Sequence, residues 1–129
     1  MSILDHIGFA VSDFPASRAF YEKALAPLDI KVLMDVTAEM TGGPAYCGFG
    51  KDKPDFWIGE GKAPGTPVHV AFAASNRALV DAFYEAAIAA GGKDNGAPGL
   101  RPQYHENYYG AFVLDPDGLN IEAVCHLPE

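Results

Sequence analysis

At 129 residues the chain has the size of one domain, and 49% hydrophobic with 20% charged residues excludes a disordered segment. Nine Lys and Arg against 17 Asp and Glu leave a net charge of -8, which repels phosphate backbones and anionic lipid, so neither nucleic acid nor a membrane is an expected partner. No apolar run reaches the roughly 18 to 20 residues a bilayer crossing needs, and the opening MSILDHIGFAV lacks the basic start of an export signal, so a cytoplasmic protein is expected.

The first element is a strand over residues 3 to 11, interrupted only by Gly8. Ser12 and Asp13 then supply helix N-cap chemistry, Pro15 suits a first turn, and Phe20, Ala24 and Leu28 recur at helical spacing. Shorter strands follow over 30 to 34, 45 to 49 and 56 to 58. A strand over 68 to 74 leads to Asn76, another capping residue, and a second helix carries Leu79, Phe83 and Ala87 until Gly91 and Gly92 stop it. The Gly- and Pro-rich stretch from Gly91 to Asn107 reads as a loop with at most one short strand. Strands over 109 to 114 and 119 to 124 form a hairpin across Asp115-Pro116-Asp117-Gly118, whose Pro and Gly preset a turn. Cys47 and Cys125, without paired-motif spacing, are expected as two separate packing thiols.

This order of elements occurs twice. Residues 4 to 25 align without a gap over residues 67 to 88, matching His6 with His69, Phe9 with Phe72, Ser12 with Ser75, and the Ala-Phe-Tyr-Glu block at 19 to 22 with that at 82 to 85. Side chains alternate along a strand, so His6 shares a face with Gly8 and Ala10, and His69 with Ala71 and Ala73. A face of one imidazole among small residues leaves room for a ligand. Glu122, mid-strand between apolar Ile121 and Ala123, needs a counter-charge or a metal to offset its desolvation. Two imidazoles and one carboxylate form a set suited to Fe, Mn, Zn or Ni with coordination positions left open.

His6, its repeat His69, and Glu122 within DPDGLNIEAV resemble the glyoxalase/bleomycin resistance/dioxygenase superfamily, also called vicinal oxygen chelate proteins, over nearly the whole chain. The resemblance implies an α+β fold of two βαβββ modules, about 1 to 62 and 63 to 129, whose curved mixed sheets surround a metal-binding cavity. It also implies a homodimer and a divalent metal ion held by His6, His69 and Glu122. The implied activity is that of a metal-dependent lyase, isomerase or dioxygenase acting on a small oxygenated substrate. Alternatives are a metabolite-sequestering protein of the bleomycin resistance kind and a fosfomycin-type thiol transferase. Glyoxalase I members add a glutamate ligand in the last strand of the first module. Here DKPDFWIG aligned with DGLNIEAV sets Trp57 opposite Glu122, and the next carboxylate is Glu60.

The run QYHENYY offers His105, Tyr104 and Tyr109 as proton-transfer candidates and Tyr108 as a substrate contact. Trp57 and Tyr46 could line an apolar pocket, and Arg101 could clamp a carboxylate through its fork of donors. His126 is expected to be structural, and Glu22 and Glu85 to lie on solvated helix faces.

Overall fold

The computed structural model describes residues 3–129. The first module comprises β1 (Ile7–Val11), α1 (Phe14–Leu25), β2 (Lys31–Val36), a single-turn helix α2 (Ala38–Thr41), β3 (Tyr46–Gly50) and β4 (Phe56–Glu60). The second comprises β5 (His69–Ala73), α3 (Arg77–Ala89), β6 (Lys93–Leu100), β7 (Tyr109–Leu114) and β8 (Asn120–Cys125). Each module folds into one four-stranded mixed sheet, ordered β1-β4-β3-β2 and β5-β8-β7-β6, and neither sheet closes into a barrel. In both, the first strand runs parallel to the last and the remaining pairs are antiparallel.

The helices begin where capping chemistry sets them. Asp13 accepts from the Ala16 amide at 3.2 Å and Asn76 from the Leu79 amide at 2.9 Å. Phe20, Tyr21, Ala24 and Leu25 of α1 and Val80, Phe83 and Ala87 of α3 are buried, while Glu22 and Glu85 are exposed. The two helices pack on each other and on their own sheets, giving one core shared by both modules. Tyr21, Phe49, Phe56 and Phe72 carry that core across the chain, Phe56 meeting Tyr21 and Phe72 edge-on at 5.1 Å. At Gly92, after α3, a Cβ would stand 2.5 Å from Val113 and 2.8 Å from Phe20 of the other module, so the chain turns there without a side chain.

The hairpin turn also ties the modules together. The buried Asp115 carboxylate accepts the Asp117 and Leu119 amides on one oxygen and the Tyr21 hydroxyl, at 2.5 Å, on the other. Burial raises its carboxyl above the ordinary value. Ser12 reaches Asp117 with both its hydroxyl and its amide.

Three details differ from the sequence reading. The first strand starts at Ile7, leaving His6 just before it, and Leu28 lies in a 3-10 turn beyond α1 rather than in the helix. Part of the expected loop after Gly92 is the eight-residue strand β6. It lies at a sheet edge, where Pro98 costs no ladder bond, and it absorbs Gly96 at φ 147° through register shifts. Cys47 and Cys125 are buried free thiols, and burial pushes Cys47 up to about 11. No helix among the described residues is long and apolar enough to cross a membrane.

Candidate functional site

Parallel pairing of β5 with β8 sets His69 beside Asn120 and Ala71 beside Glu122. The side chains of His69 and Glu122 therefore rise from adjacent strands on the sheet face away from α3. His69 Nδ1 donates to the Asn120 carbonyl oxygen at 3.0 Å, and its Nε2 stands 2.9 Å from Glu122 Oε1. The other carboxylate oxygen accepts the Tyr108 hydroxyl. Glu122 is 1% exposed. Burial first, then the bond to Glu122, hold the Tyr108 phenol well above its usual value. Gly110 on β7 makes room for the carboxylate, since a Cβ there would lie 2.9 Å from Glu122 Oε2.

The hydrogen count at this pair bears on its use. A carbonyl only accepts, so His69 Nδ1 carries a proton, and Nε2 faces the carboxylate. The 2.9 Å between Nε2 and Oε1 takes either a proton or a metal ion. Anchoring Nδ1 on a backbone carbonyl is also how a metal-ligating histidine is oriented. The pair fits a divalent metal by donor type and by its outer contacts.

His6 stands elsewhere. Its Nδ1 bonds Asp5 at 2.8 Å, and Asp5 also pairs with Lys53, which with His6 lowers the Asp5 carboxyl to about 2. His6 borders a cavity of about 430 Å³ with Tyr46 and Trp57, and a second of about 550 Å³ that His69 also lines. Glu122 lines neither of these cavities. Among the described residues no three His, Cys, Asp or Glu side chains converge as a metal-holding group. One chain thus joins His69 to Glu122, while His6 and His69 both line one cavity.

Trp57 pairs with Gly8 in β1, as Glu122 pairs with Ala71 in β5, so an indole stands where the second module has its carboxylate. Its Nε1 donates to the Pro54 carbonyl at 2.8 Å and its ring covers Gly48. Glu60 ends β4 and accepts the Ala45 amide at 3.0 Å.

The aromatic run divides between the two sheet faces. Tyr104 packs edge-on against Tyr108 at 5.0 Å, and His105 against the same ring at 5.9 Å. His105 Nδ1 accepts the Asn107 amide, so Nε2 carries the proton and donates to His126 Nδ1 at 2.7 Å. Tyr109 points to the helix side, its hydroxyl donating to Asp81 at 2.7 Å and its ring facing Arg77, so the structure does not bring it to Glu122. Arg101 lies over Phe112 at 5.4 Å, and Phe112 stacks on His69 at 6.1 Å. Sequence reasoning missed Gly110, Phe112 and the pairing of His126. Alternation along β7 was the available signal for the first two, since Gly110 and Phe112 share the face of Glu122.

The family model described as the Glyoxalase/Bleomycin resistance protein/Dioxygenase superfamily matches residues 3–123. Comparison with curated proteins found no match. A solved glyoxalase/bleomycin resistance protein from Albidiferax ferrireducens T118 is 28% identical, with TM-score 0.71 over 96% of this chain and 99% of that one. A family enzyme from Burkholderia phytofirmans PsJN, 21% identical, covers 98% of this chain and 100% of its own at TM-score 0.71 and so speaks to the fold alone. A mutant glyoxalase I from Zea mays is 25% identical with TM-score 0.72, over 94% of this chain and 45% of that chain, about half its length.

Proposed function

Because the chain belongs to the glyoxalase/bleomycin resistance protein/dioxygenase superfamily, we propose that it is a divalent-metal enzyme acting on a small molecule that presents two adjacent oxygens. The observation that carries this reading is the 2.9 Å approach of His69 Nε2 to the buried carboxylate of Glu122. The third ligand is His6 of a second copy. Both sheets leave their helix-distal faces open, with Gly8 and Tyr46 exposed on one and His69, Ala71 and Ala73 on the other. A two-fold dimer that lays the first face of each copy on the second face of its mate builds two equal sites.

Bound between these residues, a divalent metal would supply Lewis acidity toward the substrate oxygens. The chain's own groups prepare the place. The Asn120 carbonyl fixes the His69 tautomer, and the Tyr108 hydroxyl holds Glu122 Oε2 so that Oε1 faces the imidazole. Tyr108, with its proton held at Glu122, is the group assigned to proton transfer, and His105, Tyr104 and His126 wall its outer side. Trp57 and Tyr46 of the facing sheet supply the apolar wall. Trp57 also removes the carboxylate by which glyoxalase I members complete their ligand set, so glyoxalase I activity is not assigned.

Metal analysis of purified protein beside a His69→Ala variant tests the reading. One metal per chain in the parent and its loss in the variant are expected. Stoichiometric metal that survives the substitution would overturn the assignment.

A further inference from the structure

Arg101 lies just past β6 on the open face of the second sheet. Its Nη1 donates to the Gly99 carbonyl and its Nη2 to the Ala97 carbonyl, each at 2.8 Å. Gly96 and Gly99 leave it space, since a Cβ on either would come within 3.2 Å of the guanidinium. The group is seated on the Phe112 ring, and that ring stacks in turn on His69. Arg101 therefore shares the site's face, with Phe112 between the guanidinium and the His69 ring.

Its charge has no local answer. Among the described residues only Arg18 and Lys53 of the nine Lys and Arg are in ion pairs, and Arg101 is in none. Backbone carbonyls satisfy two of its five donors and neutralise nothing. A guanidinium held rigid against an aromatic face, with donors to spare, is built to take a planar oxyanion through paired bonds.

We infer that the substrate carries a carboxylate in addition to its two chelating oxygens, and that Arg101 receives it across the Phe112 ring. This inference rests on the reading of His69 and Glu122 as the metal pair. The substrate class is then a carboxylic acid whose adjacent oxygens lie about one aromatic ring from the acid group.

The experiment compares two probes by calorimetry on zinc-loaded protein: 4-ethylcatechol, which carries the oxygen pair alone, and 3-(3,4-dihydroxyphenyl)propionate, which adds the carboxylate. The acid should bind about tenfold tighter, as expected for a charge-assisted bond. That preference should vanish in Arg101→Gln. A third probe, 3-phenylpropionate, is titrated into metal-free protein while the Arg101 Nε resonance is followed, and a saturable shift is expected. Equal affinity for the two catechols without such a shift overturns the inference and leaves the metal reading standing. Catechols that do not bind, beside a saturable shift with 3-phenylpropionate, overturn the metal reading and leave Arg101 as the carboxylate site. A tenfold preference that persists in Arg101→Gln also overturns the inference.

Discussion

Trp57 and Glu122 hold the same place in the two halves of the chain, each in the last strand of its module and paired with the third residue of the repeated histidine motif, Gly8 or Ala71. Repetition of the backbone has therefore not repeated the chemistry. One half offers a carboxylate and the other an indole, and the site is lopsided by construction. Trp57→Glu restores the symmetry. In the metal-loaded dimer this variant should bind metal about tenfold more tightly by chelator competition, through an added ligand. Loss of the ring over Gly48 should lower unfolding free energy by about 3 kcal/mol in urea titration. Unchanged metal affinity in a folded variant would show that the two faces do not meet.

Mixed copies test that meeting directly. His6→Ala and Glu122→Ala proteins should each lose metal, but subunit exchange between them should restore one intact site per mixed dimer. Metal analysis after exchange and gel filtration reads the outcome. Failure to recover any metal while the parent binds it would mean that the ligands do not come from two copies.

Gly110 is held to glycine by the carboxylate it faces. In Gly110→Ala the new methyl would fall 2.9 Å from Glu122 Oε2 and 3.2 Å from the Tyr108 ring. The expected cost is about 1 to 2 kcal/mol of stability, with a drop in metal affinity of about tenfold as Glu122 turns from His69. A variant equal to the parent in both measurements would contradict the close approach.

Asp115 gives a pH signature. Burial raises its folded carboxyl above the value of 3.8 that the unfolded chain keeps. Between those two values the folded state binds more protons, so this group makes stability fall as pH rises from 3.8 toward the folded value, a loss that persists at neutral pH. Asp115→Asn removes that slope and keeps an oxygen for the Asp117 and Leu119 amides. The variant's denaturation midpoint relative to the parent's should rise with pH across this range; a difference independent of pH would refute the assignment to Asp115.

Gly92→Ala probes the seam between modules. Its methyl would meet Val113 at 2.5 Å, Phe20 at 2.8 Å and the Ala87 carbonyl at 2.9 Å, two of them rigid core groups. Unfolding free energy should fall by about 2 to 3 kcal/mol. A change under about 0.5 kcal/mol would show that the seam yields.

The faces of His69 and Glu122 were legible because side chains alternate along a strand, but their adjacency comes from the pairing of β5 with β8. The same alternation, applied to β7, puts Tyr109 with Ala111 and Val113 against α3 and leaves Gly110 and Phe112 on the site's face. Composition hid β6, since Gly and Pro are loop signals everywhere except at an irregular sheet edge. The bond from His105 to His126 had no signal at all, because it joins a loop to the residue just past β8.

The sequence by itself determined the repeated strand-then-helix order, the helix starts at Asp13 and Asn76, and the strand faces on which His69 and Glu122 stand, all products of local capping and short-period patterning. Only the tertiary structure decided that Tyr108 holds Glu122, that Arg101 rests on Phe112 without an acidic partner, and that His6 and His69 line one cavity. Those relations depend on how loops close and how two modules pack. The free energies involved are summed over many distant contacts, and no period in the chain encodes them.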